Sequence, residues 1–278
     1  MNKPLYIPTH KSGFAHPKCY LNFTNGCSDG ISGEHTISAS LLDKVESERK
    51  AVEVVGLTWL PKDRLSAIGK SSLVANVLCS KHNSDLSPLD ALAGRFIESI
   101  GAIDAELQKD APAELKYSFD GPSLERWVIK TMLGLVHSRQ IAQRSGTPFL
   151  IKQKCFDLLC SPVARWPFGW GLYASLPEEK VHHSSSFELI PSHNPETGEL
   201  VSVKLKFNGI EFTFLMGRPD SPGSFGIHRP NELVFVKGGV NCSVALKWGA
   251  QKAGKPVVLT HAGTYAGTSP DHVFPPRP

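Results

Sequence analysis

The chain contains no long apolar run. A membrane-spanning helix needs about 18 or more consecutive, mostly apolar residues, and no stretch of the 278 residues meets that requirement. The first residues, MNKPLYIPTHKSGF, also lack the apolar segment of a secretory signal. We therefore expect no membrane partner and no export, and we expect the protein to work in the cytoplasm.

The signatures of several common protein classes are missing as well. There is no Walker-type phosphate loop, no dinucleotide-binding glycine pattern and no internal repeat, so P-loop, nicotinamide-binding and repeat architectures are not indicated. Six cysteines in a chain of this length are too few for a disulfide scaffold. In a reducing compartment, clustered cysteines indicate either a metal site or ordinary core packing.

The charge is only mildly basic, with a net value of +4. The excess of Lys and Arg lies after residue 110, and the run from Arg139 to Arg165 contains a single acidic residue, Asp157. Such a run can attract phosphate groups, although a solvated basic face is an equally good interpretation. The candidate nucleic-acid-binding residues in it are Arg139, Arg144, Lys152 and Lys154.

Hydrophobic spacing predicts helices in the first half of the chain. The segment from Pro88 repeats apolar residues every three or four positions, with Ser87 as a candidate N-cap. A second helix is predicted after Ser123, and LIKQKCFDLLCS indicates a short third one. We divide the chain into an N-terminal module at 1–110, a helical segment at 111–164, a β-rich domain at 165–265 and a proline-rich tail at 266–278.

The second half changes to an alternating pattern. The segment ELVSVKLKFNGIEFTFLM predicts a hairpin that turns at Asn208 and Gly209. Further strands are predicted in SFELIPSH, NELVFVKG, CSVALKW and PVVLTH. The expected fold class is therefore α+β, with the β-rich domain built as an antiparallel sheet. An exposed edge of that sheet is a candidate surface for a protein partner or a second copy.

Candidate metal ligands fall in two pairs in the first 82 residues. Cys19 and Cys27 flank a short loop, and Cys79 and His82 lie three positions apart. Two such pairs suit a tetrahedral structural zinc site. The alternative is that the cysteines are buried core residues and His82 is a surface residue.

The order Cys, Cys, Glu-His, Cys-x-x-His-Asn resembles the HNH endonucleases, and the resemblance covers about residues 17–95. That family has a ββα-metal fold, often with a zinc knuckle around the catalytic hairpin. The counterparts of its motifs here are the two cysteines Cys19 and Cys27, EHTIS at 34–38, and LCSKHN at 78–83. The chain departs from the family pattern in the wide spacing of the first pair and in its fourth ligand, a histidine.

The resemblance implies a role for each of these residues. Glu34 and Asn83 would bind a catalytic Mg²⁺ or Mn²⁺, and His35 would be the general base. The zinc knuckle would be formed by the four residues of the two pairs, Cys19, Cys27, Cys79 and His82. The implied substrate is nucleic acid, with DNA favoured over RNA and neither excluded by the sequence, and the implied setting is bacterial or phage defence against foreign DNA.

Two other functions are compatible with the same residues. The module can be a zinc-stabilised element that binds nucleic acid or a protein without catalysis, or the β-rich domain can carry the main function by binding a small effector. Trp166 and Trp170, in RWPFGWGLY, are candidates for stacking on a base, although packing is the commoner role for tryptophans at such a junction.

Overall fold

The structure is a computed structural model that describes residues 11–45, 51–61, 64, 66–161, 163–175, 181–183, 187–217 and 222–264. The helices are α1 Ala39–Val45, α2 Ser80–Leu107, α3 Gly121–His137 and α4 Gln153–Cys160. The strands are β1 Ile31–His35, β2 Val52–Val54, β3 Ser66–Ile68, β4 Val74–Cys79, β5 Lys116–Asp120, β6 Gly171–Ala174, β7 Val181–His183, β8 Phe187–His193, β9 Leu200–Phe207, β10 Ile210–Leu215, β11 Ile227–His228, β12 Glu232–Lys237, β13 Val240–Lys247 and β14 Val257–Thr264. The predicted proline-rich tail lies outside the described residues.

An antiparallel strand pair followed directly by a helix forms the N-terminal unit, and α1, β2 and β3 lie between its two strands in the sequence. Strands β1 and β4 pair antiparallel, and β4 passes into α2 without an intervening loop. The pairing shifts between Ser32 and Glu34, so the strand is bulged one residue before the Glu-His pair. Beyond the bulge the alternation is regular, and Glu34, Thr36 and Ser38 are buried while His35 and Ile37 are only partly buried.

Helix α2 begins earlier than its apolar pattern predicts. It starts at Ser80, and the Sγ of Cys79 serves as its N-cap by accepting a hydrogen bond from the His82 N–H. The prediction of Ser87 as the N-cap is therefore wrong, and Pro88 lies inside the helix. A proline there cannot donate to the Ser84 carbonyl, but the Ser87 hydroxyl donates to it at 2.9 Å.

Helix α3 is the central element of the molecule. The predicted helix is confirmed, although its N-cap is Asp120, whose Oδ2 accepts from the Ser123 N–H. Every residue from Ser123 to Val136 is buried, because the helix packs against α2 and α4 and also contacts β4 and β13. The predicted short third helix is confirmed as α4.

The β-rich part consists of two five-stranded sheets. One has the order β11-β6-β10-β9-β8 and is antiparallel throughout. Its β9–β10 hairpin turns at Asn208 and Gly209 with φ of 47° and 75°, as the Asn-Gly sequence predicts for a type I′ turn.

The second sheet has the order β5-β13-β12-β14-β7 and is mixed. Only β12 and β13 pair antiparallel, whereas β12–β14, β13–β5 and β14–β7 are parallel. The α+β class and the predicted strands are confirmed, but an antiparallel arrangement describes the first sheet alone. Strand β5 comes from the segment predicted to be helical.

The buried apolar side chains form one continuous cluster from Cys19 to Leu259. Residues from each of the predicted segments at 1–110, 111–164 and 165–265 belong to this cluster. Among the described residues, no helix has both the length and the apolar character that crossing a membrane requires.

Candidate metal centre and its surroundings

The four predicted metal ligands meet at one buried point. The Sγ atoms of Cys19, Cys27 and Cys79 and a ring nitrogen of His82 all lie within 4.8 Å of one another. All four residues are at most 2% exposed. Their gathering confirms the predicted set, and three thiols with one imidazole can hold a metal ion such as Zn²⁺.

The distances fit tetrahedral coordination. His82 Nδ1 lies 3.4 Å from the Sγ of Cys19, 3.7 Å from that of Cys27 and 3.2 Å from that of Cys79. With Zn–S bonds of about 2.3 Å and Zn–N bonds of about 2.0 Å, a tetrahedral ion separates sulfur from nitrogen by about 3.5 Å. The observed distances lie on both sides of that value.

Thr24 fixes His82 in the tautomer that can bind a metal through Nδ1. Its hydroxyl donates to the Leu21 carbonyl at 2.8 Å, so its oxygen is left to accept from His82 Nε2, which is 3.1 Å away. With the ring proton on Nε2, the lone pair of Nδ1 points toward the three thiols. A partner that orients a ligating histidine through its other nitrogen is typical of metal sites.

Local structure brings the two pairs together. Cys19 and Cys27 lie on either side of a short 3₁₀ turn at Asn22–Thr24. The Tyr20 N–H donates to the Val77 carbonyl, which attaches this loop to β4 beside Cys79. Cys79 is the last residue of β4 and His82 lies in the first turn of α2, so a strand-to-helix junction supplies the second pair.

The thiols differ in their acidity. Burial raises the pKa of Cys19 to about 12 and raises that of Cys27 as well. Burial also acts to raise the pKa of Cys79, but hydrogen bonds from the backbone at His82 and Ser28 outweigh it and lower that pKa. Burial lowers the pKa of His82, which keeps its imidazole neutral and able to bind a metal. A bound cation would compensate for placing thiolates in this buried position.

The Glu34 side chain lies in the interior, in contact with helix α3. It is 5% exposed, and its Oε1 accepts a hydrogen bond from Lys130 Nζ of α3. The same ammonium group donates to Asp90 of α2, and the other Asp90 oxygen accepts from Ser38 Oγ at 2.6 Å. Burial raises the pKa of Glu34, and the charge of Lys130 opposes that rise.

His35 lies on β1, and Asn83 lies on α2. His35 ends β1 on the less buried face of the strand, opposite Glu34. Asn83, in the first turn of α2, donates from Nδ2 to Ser32 Oγ at 2.8 Å and so connects the helix to β1. The predicted catalytic residues thus belong to one ββα unit, but the Glu34 carboxylate is engaged by Lys130.

A second metal ion does not fit these side chains as they are arranged. Within the described ranges, the Cys₃His group is the only place where three or more His, Cys, Asp or Glu side chains come together as candidate ligands. The carboxylates of Glu34 and Asp90 both contact the ammonium group of Lys130, which stands where a metal ion would have to bind. The expected Mg²⁺ or Mn²⁺ at Glu34 and Asn83 therefore has no structural support.

The predicted basic residues are spread over different surroundings. Arg139 and Arg144 are exposed after α3. Lys152 lies 3.8 Å from a Glu199 carboxylate oxygen and 5.7 Å from the centre of the Trp170 ring, whereas Lys154 is partly buried in α4. The stacking candidates Trp166 and Trp170 both pack in the interior.

Sequence reasoning missed Lys130 and Thr24. A lysine inside the apolar run WVIKTMLGLV of α3 is a signal for a buried charge that needs a partner. Thr24 carries no comparable signal, because its role depends on where the loop between Cys19 and Cys27 folds.

No family model matches this chain, and no solved structure matches it. Function therefore has to be argued from the side chains themselves.

Proposed function

We propose that this chain is an HNH-like endonuclease whose ββα unit is held in shape by a zinc ion at Cys19, Cys27, Cys79 and His82. The observation that carries the proposal is the arrangement of the unit. The antiparallel pair β1–β4 has α1, β2 and β3 inserted between its strands and passes directly into α2, the Cys₃His group lies at the junction, and His35 ends β1. This is the order that the resemblance to HNH endonucleases implies.

His35 is the proposed general base. It is partly exposed on the outer face of β1, while the neighbouring Glu34 and Thr36 are buried. A neutral imidazole at such a position can accept a proton from a water molecule that attacks a phosphodiester bond. The contacts of Glu34 and Thr36 with the interior would hold the backbone on both sides of His35.

Asn83 is the proposed second functional residue of the unit. Its Nδ2 donates to Ser32, which leaves the amide oxygen as a hydrogen-bond acceptor at the start of α2. The zinc ion would take no part in the reaction. Its role would be to fix the β1–β4 strand pair, the loop between Cys19 and Cys27 and the start of α2, which bury little apolar surface by themselves.

The test is a nicking assay on supercoiled plasmid, in which the zinc-loaded protein is assayed with no added cation, with Mg²⁺ or with Mn²⁺. Wild type is compared with His35→Ala and with His193→Ala, a partly exposed histidine on β8 that serves as the matched control. We expect wild type and His193→Ala to nick and His35→Ala to be inactive, and the cation series reports whether a divalent ion is required. Equal nicking by His35→Ala, or none by any protein on plasmid or single-stranded substrates, would contradict the proposal.

One observation favours a second candidate, a zinc-stabilised module that binds nucleic acid without cutting it. The Glu34 carboxylate is neutralised by Lys130 in the interior, where a catalytic cation would otherwise need it. The same assay separates the two candidates, because a binding module shifts the plasmid on a gel without nicking it.

A further inference from the structure

An exposed turn docks beside the end of β1. Residues 57–60 form a tight turn that is closed by a hydrogen bond from the Leu60 N–H to the Leu57 carbonyl. Thr58 attaches the turn to the segment after α3: its N–H donates to the Gln140 carbonyl at 3.0 Å, and its hydroxyl donates to the Arg139 carbonyl at 2.7 Å. The turn therefore has a fixed position relative to Arg139.

The same segment is also bound to the strand that carries His35. The Thr36 hydroxyl contacts Gln140 Oε1, and both groups are buried. The path from His35 to Trp59 runs over two peptide links, the side chains of Thr36 and Gln140 and two hydrogen-bonded contacts, so the two Cα atoms are at most roughly 25 Å apart. A nucleic-acid strand covers such a distance within a few nucleotides.

Trp59, at the corner of this turn, is the exposed tryptophan of the protein. It is 47% exposed, whereas Trp127, Trp170 and Trp248 are buried and Trp166 is partly buried against the core. An indole left in water at a fixed position is available for a flat partner. A nucleobase offers such a partner, because every base has a face on which an aromatic ring can stack.

Arg139 occupies a backbone position at which glycine is favoured. It follows the C-terminus of α3 with φ of +58°, a left-handed conformation that strains a residue with a Cβ. Its side chain is exposed, and among the residues that the structure describes no carboxylate forms an ion pair with it. The fold therefore does not require an arginine at this position, and a phosphate contact would explain its presence.

We propose that Trp59 and Arg139 form a contact site for single-stranded nucleic acid beside His35. The Trp59 indole stacks on a base, and the Arg139 guanidinium binds a neighbouring phosphate. This inference rests on the nucleic-acid substrate of the proposed function and specifies its form: an unpaired strand, whose bases are free to stack on the ring.

The experiment measures binding of a labelled 15-nucleotide oligo-dT to the zinc-loaded protein by fluorescence anisotropy, without added Mg²⁺ or Mn²⁺, and a duplex of equal length is the second probe. Trp59→Ala and Trp59→Phe test the stacking contact, and Arg139→Gly tests the phosphate contact. Phe168→Ala is the control, because Phe168 is an aromatic residue that is 79% exposed in the segment between α4 and β6. Quenching of tryptophan fluorescence by the oligonucleotide reports on the exposed indole directly.

We expect Trp59→Ala to weaken binding of oligo-dT about tenfold and Trp59→Phe to keep most of it. Arg139→Gly should weaken binding. It should also reduce the magnitude of the slope of log K against log salt by about one, the value expected for one phosphate contact. Its melting temperature should be equal or higher, because glycine suits the left-handed position. A structural role for Arg139 would instead lower the melting temperature.

Unchanged binding by Trp59→Ala, the same loss in Phe168→Ala, or equal affinity for the duplex would overturn the proposal. Because binding is measured without added Mg²⁺ or Mn²⁺ and does not depend on cleavage, the result is independent of the nicking assay. Loss of binding in Trp59→Ala supports the site even when wild type cuts nothing.

Discussion

Lys130 carries a positive charge in the interior, between two carboxylates that come from different elements. Its side chain and that of Glu34 are 3% and 6% exposed, and Asp90 is the other partner. We predict that Lys130→Met lowers the free energy of unfolding by about 3–5 kcal/mol, because both carboxylates lose their buried counter-ion. Urea unfolding monitored by circular dichroism measures this loss.

The control for this substitution is Lys44→Met. Lys44 pairs with Glu98 at 3.4 Å, and both side chains are about half exposed. An exposed pair of this kind contributes less than about 1 kcal/mol. A loss in Lys130→Met no larger than in Lys44→Met would show that the buried lysine is not the counter-ion that holds β1 to α2 and α3.

His228 gives the stability of the fold a dependence on pH. The imidazole stacks on Tyr173 with ring centres 4.5 Å apart, and its Nε2 donates to the Trp170 carbonyl at 3.1 Å. Burial and then the charge of Arg229 lower its pKa. Below about pH 6.5 the unfolded state therefore takes up a proton before the native state does, and stability falls as the pH falls.

We predict that His228→Phe loses less stability than wild type when the pH falls from about 7 to about 5. Phenylalanine keeps the stacking on Tyr173, and the Trp170 carbonyl keeps a hydrogen bond from Arg229 Nη2 at 3.2 Å. Urea unfolding of both proteins at several pH values measures the difference. Curves that stay parallel over this range would rule out a lowered pKa at His228.

At the scale of elements, α3 can pack closely because its first residue has no side chain. A Cβ at Gly121 would lie 2.5 Å from the ring of Trp248, which is far inside normal contact distance. We predict that Gly121→Ala lowers the free energy of unfolding by about 1–3 kcal/mol through overpacking. Thermal and urea unfolding measure the loss.

Gly101→Ala is the matched control within a helix. A Cβ at Gly101 of α2 would meet no atom within 4 Å, so alanine should raise stability by up to about 1 kcal/mol through helix propensity alone. A gain of stability in both variants would contradict the close packing of α3 on Trp248.

The elements were predictable to the extent that local sequence specifies them. The β9–β10 hairpin follows from alternation around Asn208 and Gly209, and α3 follows from its apolar spacing. The start of α2 was missed because its N-cap is Cys79, a residue type that rarely has that role and that acts here through its position in the metal centre. The parallel pairs were missed because they join distant segments, such as β5 with β13.

The candidate site was also predictable only in part. The four metal ligands were predictable, because two pairs of ligand residues, Cys19 with Cys27 around a short loop and Cys79 with His82 three positions apart, suit a tetrahedral site. The partner of Glu34 was not, because Lys130 reaches it from a helix about a hundred residues later in the chain. Trp59 had no sequence signal either, since exposure is a property of the folded surface.

At the scale of the whole molecule, α3 connects the ββα unit to the β-rich part. Lys130 connects it to β1 and α2, and Glu125 forms a buried ion pair with Arg229 at 2.8 Å next to the antiparallel sheet. Because the core is also continuous, we expect that a change in the shape of the ββα unit is transmitted to the rest of the protein rather than confined to it.

Both proposals depend on one claim: that the Cys₃His group holds a zinc ion that shapes the β1–β4 strand pair, the loop between Cys19 and Cys27, and the start of α2. Metal analysis of the purified protein by mass spectrometry, with thermal unfolding before and after chelation, tests it directly. Cys79→Ser is compared with Cys242→Ser, because Cys242 is an equally buried free cysteine on β13.

We predict about one zinc ion per chain in wild type and in Cys242→Ser, a lower melting temperature after chelation, and little or no zinc in Cys79→Ser. Wild type without bound metal, or a zinc content and melting temperature that Cys79→Ser leaves unchanged, would contradict the account.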